Sequence, residues 1–536
     1  MIMNGLDPRR WLKDARLAMA RLPSFRLSRA PAAPALPVRD PWPGDPASGA
    51  RLLKGEFAYV GGVRPLQPGL WVVSGGSPLL HAEAHSFTWL RDLRALGSDA
   101  ARLRARALVT DWITSAAQEP IANLPEVIGA RIAAWLGHYD FFAASADDTF
   151  RQRLMGRLIA DARILAALLP PEALDRRALV ALKGLIAAAV ALPEHAFFLT
   201  RALRFLPQVI GQQILPDGSH AERSPAAQLA TLQECVEIRA LLQGAQVQLP
   251  AALLGAIEKS TSVLRALRHA DGALALFNGS KEGNPALIDL VLSQAGRGSR
   301  AASSGFAGGG FHRLQGRRTV MIVDCGVPPG AGFDRFAHAG TLSFELSVGR
   351  DRVIVNCGAA PGAGPEWRDA ARATAAHSTL VIADTNSSEL RPDGLGRKPE
   401  KVIVEHQEAN GAHWLEASHD GWLKPFGALH RRRLYMAESG EDIRGEDSVE
   451  AETPQPFVLR FHLHPSVNAS FQQDAGAVLL RLPHGGGWRL RAEGARISLE
   501  ESIYLGGAEP HRTEQIVLTA PSDGPQIVKW AITKVG

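Results

Sequence analysis

The feature that most constrains this chain is a change of hydrophobic period near its middle. From Phe87 onward, apolar residues recur about every 3.6 positions. In FTWLRDLRALGSDAARLRARALVTDWITSAAQ the series Phe87, Leu90, Leu93, Leu96, Leu103, Leu108 and Trp112 falls on one face, with Arg and Asp opposite. Similar segments follow at 126–144, 149–169, 175–192, 194–214, 226–243 and 251–267. They are separated by Pro170-Pro171, Pro193, Pro216-Asp217-Gly218 and Pro250. Such short connections make successive helices antiparallel neighbours, so this half reads as an α-helical bundle or toroid. After the Gly/Ser-rich stretch QAGRGSRAASSGFAGGG (294–310) the period shortens to two. RTVMIVDCG, HWLEASHD, LHRRRLYMAE, FVLRFHLHP, GAVLLRLP, WRLRAE, ARISLEESIYL and TEQIVLTA are turn-separated strands of a large antiparallel sandwich. One core cannot serve both periods.

A length of 536 residues allows two or three domains. The divisions expected are a basic, Pro-rich tail and linker at 1–46, a helical domain at 47–295 and a β-domain at 296–536. Pro31, Pro34, Pro37, Pro41, Pro43 and Pro46 make the end of the first piece extended. A net charge of +5 with dispersed arginines gives a nucleic-acid partner no support but suits an acidic polymer. Cys235, Cys325 and Cys357 have neither a disulfide nor a zinc-ribbon spacing. No run reaches the roughly 20 apolar residues of a membrane span. Arg9, Arg10, Lys13, Arg16 and Arg21 interrupt every early apolar run, an arrangement that predicts a cytoplasmic chain.

Polar chemistry gathers in two places. TLSFELSV and RVIVNCG read as a hairpin and STLVIAD as a third strand, with His338 before the first, Asn356 ending the second and His377 before the third. Brought together, these groups suit a metal such as a structural zinc, an anionic substrate, or a hydrogen-bonded core. In QILPDGSHAERSP (213–225), a tight Asp217-Gly218 turn presents His220, Glu222 and Arg223 just before a helix capped by Ser224 with Pro225 at its first position. Arg368 and Arg372 lie on the approach to His377 and suit a bidentate carboxylate or sulfate. Asn278 in LFNGS is either a turn residue or a cleft amide. Tyr139, beside His138, is the one tyrosine on a toroid helix, and His462 and His464 share a strand face.

The patterns HAGTLSF, VNCG and TAAHSTL, together with DG followed by ERSP, resemble those of heparinase II/III-type polysaccharide lyases. The resemblance implies an α+β multidomain chain, with an incomplete N-terminal (α/α) toroid followed by a C-terminal antiparallel β-sandwich. It also implies β-elimination on a uronate-containing glycan, in the periplasm or cell envelope. With it, the proton-transfer candidates are His338, His377 and Tyr139, the last either replacing the missing Tyr or packing its helix, and the substrate-binding ones are His220, Glu222, Arg223, Asn278 and Arg372. His338, Asn356 and His377 become the candidate zinc ligands. The chain departs from the pattern where relatives carry a Tyr and often a His, here Ala226, Ala227 and Gln228, and where they carry a further His, here Phe336. Asn356 stands where many have a zinc-binding Asp. Neither Ala nor Gln can move the proton, so a glycan-binding protein that keeps the lyase fold is the alternative function.

Overall fold

Pro at the first helical position behind a capping side chain starts several helices of this protein. A computed structural model describes residues 8–21, 30–173, 175–192, 196–298, 305–306, 308–361, 363–484, 486–521 and 526–535. In it Asp45 caps Pro46–Leu53, Ser77 caps Pro78–Ser86 and Asn284 caps Pro285–Ala295, each through its side-chain oxygen. The long segment expected from Phe87 is two helices, Leu90–Leu96 and Asp99–Ser115. Gly97 takes the left-handed conformation that ends the first, and the Ser98 hydroxyl accepts the Ala101 N–H that starts the second. The segment expected at 126–144 likewise breaks at His138, between Pro125–Gly137 and Tyr139–Phe142.

The chain divides into two packed units, one of residues 1–213 and 233–255, the other of residues 214–232 and 256–536. This division does not fall at 295/296, because residues 214–232, a loop with the first two turns of the next helix, and the 256–295 segment pack with the strands rather than with the preceding helices. The first unit is helical and carries the hairpin Glu56–Tyr59/Gly62–Pro65. Its innermost helix, Arg176–Ala191, is buried on nearly every side. A side chain on Gly184 would sit 2.3 Å from the Gly129 backbone, so only glycine permits this close crossing with Pro125–Gly137.

The expected linker is fixed in place. Ala35 N–H donates to the Ala191 carbonyl at 2.9 Å, Asp40 pairs with Arg91 at 2.9 Å, and the buried Trp42 indole donates to Glu237 at 2.5 Å. Upstream, Pro8–Arg21, within the expected basic tail, is a helix. No helix among the described residues is long and apolar enough to cross a membrane.

The second unit is a sandwich of antiparallel sheets. One sheet orders its strands Val402–Ala409, Ala412–Trp422, Ala428–Met436, Asp442–Glu450, Ile527–Val535, Gly487–Glu493, Ala477–Arg481 and Asn468–Gln472. The other runs Arg496–Tyr504, His511–Thr519, Phe457–Leu463, Asp351–Val355, Phe344–Val348, Thr319–Asp324, Phe311–Gln315 and Gly305–Phe306. The hairpin expected between the first two strands of the polar cluster is present. Leu380–Ile382, expected as their third neighbour, pairs instead with Phe457–Leu463. Inward residues of both sheets form one apolar core, in which Phe344 and Phe461 flank Trp530 at ring distances of 5.7 and 5.1 Å.

A polar group sits inside that core. Asp447 accepts from Arg432 Nε and from His430 at 2.7 Å each, and from the Trp530 indole at 2.9 Å. Arg432 Nη1 donates across the sandwich to the Leu342 carbonyl at 2.6 Å. Burial raises the Asp447 pKa, but the Arg432 charge and the His430 hydrogen bond outweigh it and hold the carboxyl at about 2. A folded pKa below the unfolded value of about 3.9 gives a contribution that is complete above that value and lost as pH falls through 2. Asp447→Asn, which leaves Arg432 buried without its counter-charge, is expected to lower the unfolding free energy by about 3–5 kcal/mol, read from urea unfolding at neutral pH.

Candidate functional site

The loop at 214–224 closes on itself before it meets anything else. Leu215 N–H donates to Ser219 O and Gly218 N–H to Leu215 O, both at 2.8 Å, so Asp217-Gly218 makes the expected tight turn. Gln228, one turn into the following helix, accepts His220 N–H at 2.7 Å and donates to Gly218 O at 2.9 Å. The residue standing in the family's proton-transfer region therefore braces the loop. His220 is buried, and its Nδ1 accepts the Glu222 N–H at 3.1 Å.

Arg223 takes a left-handed backbone conformation, φ +52, which is uncommon for a side chain of its size. The turn directs its guanidinium inward. Nη2 forms a buried ion pair with Asp324, Nε donates to Gly309 O at 2.7 Å, and the cation lies 5.0 Å from the Phe311 ring centre. Its carbonyl accepts from Asn278 Nδ2 at 2.9 Å, and Asn278 Oδ1 accepts from the His338 N–H at 3.1 Å. Asn278 is thus a buried amide tying one loop to the next.

Backbone partners fix the tautomers of the two histidines. His377 Nδ1 lies 2.7 Å from the Ala373 carbonyl and must carry the proton. Its Nε2 then has the lone pair and accepts from His338 Nδ1–H at 2.9 Å. His338 Nε2 in turn accepts the Gly279 N–H at 3.0 Å. All four ring nitrogens are committed. The approach is close enough that a side chain on Gly340 would sit 2.6 Å from His377 Cδ2.

Burial, then the adjacent His377 and the Arg372 charge, push His338 well below the ordinary imidazole range. Burial brings His377 down to about 4 against the opposing effect of its bond to Ala373. Asn356 accepts Ser378 N–H at 3.0 Å and donates to Leu276 O at 3.3 Å. The three groups expected at strand ends are therefore near one another in sequence register, but as a hydrogen-bonded core. A metal would have to displace His377 from His338, and no group of three or more metal-ligating residues is assembled among the described residues.

The remaining candidates separate. Arg372 lies at the end of the helix Pro365–Arg372, buried, with Nε, Nη1 and Nη2 on the carbonyls of Ala337, Arg391 and Gly394 at 2.9, 2.9 and 2.6 Å. It is a backbone clamp rather than an exposed anion receptor. Arg368 sits beside Asp369 at 3.2 Å. Tyr139 is buried in the helical unit, where its hydroxyl donates to Ala32 O at 3.0 Å, which makes it a packing residue. His462 bonds Ser502 and the Ala375 carbonyl at 2.8 and 2.9 Å, and His464 bonds Ser466 at 2.7 Å, so the strand pair does not chelate.

Two buried carboxylates were missed from sequence. Asp324 neutralises Arg223, and Glu345 accepts from His269 at 3.0 Å and from the N–H groups of Leu276 and Asn356 at 3.1 and 2.9 Å. An acidic residue inside an otherwise apolar strand, as in RTVMIVDCG and LSFELSV, was the available signal.

Histidines held neutral destabilise the fold in acid. The unfolded chain binds protons at its ordinary imidazole pKa of about 6.5, before the folded chain can, so stability falls as pH drops from about 6.5 toward 4. His377→Asn, which cannot titrate, should flatten that slope by about 1.4 kcal/mol per pH unit in urea unfolding measured across the window.

Comparison with known proteins agrees with this architecture. The family model described as Heparinase II/III-like, C-terminal, matches residues 298–531. FtsZ-localized protein C of Caulobacter vibrioides is 32% identical over 523 residues, which span 92% of this chain and 89% of that one. The crystal structure of heparinase III superposes with a TM-score of 0.74 at 15% identity, covering 98% of this chain and 89% of the other. That of heparan sulfate lyase HepC from Pedobacter heparinus gives 0.62 at 15% identity, covering 98% and 88%. These last two likenesses bear on the fold, a helical toroid followed by an antiparallel β-sandwich. With the conserved architecture, the matched β-domain and the full-length relative together, the chain belongs to the heparinase II/III-like family.

Proposed function

We propose that this protein recognises an acidic polysaccharide of the cell envelope without cleaving it. The observation that carries this reading is the closed His338–His377 pair. β-Elimination from a uronate needs the carboxylate neutralised, a base for the C5 proton and an acid for the C4 oxygen. The base nearest the family pattern, His338, has no free nitrogen, and taking up a proton at Nε2 would set its N–H against the Gly279 N–H. Tyr139 is bonded to a backbone carbonyl, Arg223 is neutralised by Asp324, and Arg372 holds carbonyls. Ala226, Ala227 and Gln228 supply no replacement. What persists is the fold and its interest in a glycan. The likeness to a relative named for its localisation with FtsZ supports a place at the dividing envelope for this chain as well. A fluorescent fusion collecting at mid-cell is the expected outcome.

The reading is tested by incubating the full chain with a panel of uronate polymers. Ultraviolet absorbance would report unsaturated product, and affinity electrophoresis would report binding. Retarded migration with no absorbance is expected. Lyase activity that falls by a factor of ~10²–10⁴ in His338→Ala, at an unchanged melting temperature, would overturn it in favour of a catalytic His338.

A further inference from the structure

The outward face of the eight-stranded sheet carries a groove that neither the histidine cluster nor the 214–224 loop explains. Alternation along the strands turns Ile443, Asp447, Trp530 and Leu490 into the core. It leaves one cross-strand row facing outward, in which Trp414 opposes Tyr435, Tyr435 opposes Arg444, Arg444 opposes Ala531 and Ala531 opposes Arg491. This row crosses four inter-strand steps of roughly 4.8 Å, a reach of about 19 Å. Ala531 is its one small member, so the surface is depressed there, and the resulting groove has a volume of about 690 Å³. That lies within the range of ligand sites.

The ordinary reading of such a face is a solvated ladder of charges, and the adjacent row fits it. Arg433 is held by Glu416 and Glu446 at 2.9 Å each. The groove row differs in two respects. Trp414 is 45% exposed although it lies within a strand, and its ring is tilted against Tyr435 at 5.3 Å, with the Arg444 cation 5.9 Å from the Tyr435 ring. Arg444 is paired with Asp442 at 2.7 Å, whereas Arg491, at the other end, forms no ion pair with the described residues, and Lys529 comes no nearer than 3.9 Å to Glu446. The lining holds four cations, Arg433, Arg444, Arg491 and Lys529, against three anions, Asp442, Glu446 and Glu493. Aromatic faces at one end and the exposed guanidinium of Arg491 at the other suit a sugar chain bearing carboxylates. The C–H faces of pyranose rings pack on indole and phenol, a carboxylate takes a guanidinium fork, and hydroxyls donate to the interspersed carboxylates.

We propose that this groove, from Trp414 to Arg491, is a binding site for an anionic oligosaccharide. The assignment rests on the reading of the protein as a polysaccharide binder and gives that reading a location outside the histidine cluster. The test uses the full-length chain, isothermal titration and two probes, a galacturonate hexamer and the neutral cellohexaose. Trp414→Ala and Arg491→Gln are each expected to weaken the uronate hexamer at least tenfold. Ala531→Glu, which adds a negative charge to the floor without touching the core, should abolish its binding. Melting temperatures should stay at the wild-type value, since all three positions face solvent. Wild-type binding that all three variants keep within twofold would overturn the groove and leave the glycan-binding reading intact. Equal affinity for cellohexaose would overturn the anionic class. Binding of an acidic peptide in place of either sugar would overturn the glycan assignment, and a wild-type chain that binds neither hexamer nor intact polymer would remove both proposals.

Discussion

Asp447 and Arg432 form an ion pair that water does not reach, and much of the β-unit is arranged to make it tolerable. Taking two charges out of water costs several kcal/mol for each, and attraction repays this only when the surrounding lone pairs and protons are also met. Here the carboxylate receives three donors, and the guanidinium reaches the carbonyls of Leu342 and Ser378 through Nη1 at 2.6 and 3.2 Å, with Nη2 alone left without a hydrogen-bond partner. Those carbonyls sit just before strands of the opposite sheet. A rotation or slip of one sheet against the other would leave a charge stranded, so the pair fixes the register of the sandwich in a way that interchangeable apolar contacts do not. Ser378 extends the constraint to the histidine cluster, because its N–H holds Asn356 and its hydroxyl donates to Val355 O at 2.7 Å.

This dependence fits the reading of the cluster as chemically quiet. A general base needs a pKa near the working pH and an open lone pair within reach of the proton it removes. His338 and His377 have neither, since burial favours the neutral ring and each lone pair already faces a donor. The same logic applies to the arginines. A guanidinium among backbone carbonyls, like that of Arg372, is a fastener for loops, and its charge is unavailable to a ligand. Residues that catch the eye in a motif are here consumed by holding the motif's own shape.

How much of this was legible differs by level. The change from period 3.6 to period 2 located the helical and β regions, and the hairpin after Thr341 followed from its β-branched and aromatic strands. Among the helices that went unread, three carry at Asp45-Pro46, Ser77-Pro78 and Asn284-Pro285 the cap-and-proline signature that was recognised at Ser224-Pro225. They are short, and their apolar period is too brief to register. Site roles were the least legible. Arg223 reads as an anion receptor until Asp324, 101 residues later, is placed against it. Arg372 reads the same way until its carbonyl partners are known. Local sequence gives the type of a side chain, whereas its availability depends on what tertiary structure brings to it.

The path of the chain between its two units has a consequence for how such a protein can be taken apart or inherited. The backbone leaves the helical unit after Gln213, returns at Gln233 and leaves again at Ala256, so it crosses three times. No single cut separates the two bodies, and a gene break placed at any one crossing would strand a piece of one inside the other. The β-sandwich of this chain is therefore not a cassette that recombination can lift out and join to a new partner. Exchanging either part for a new one would take breaks at more than one crossing.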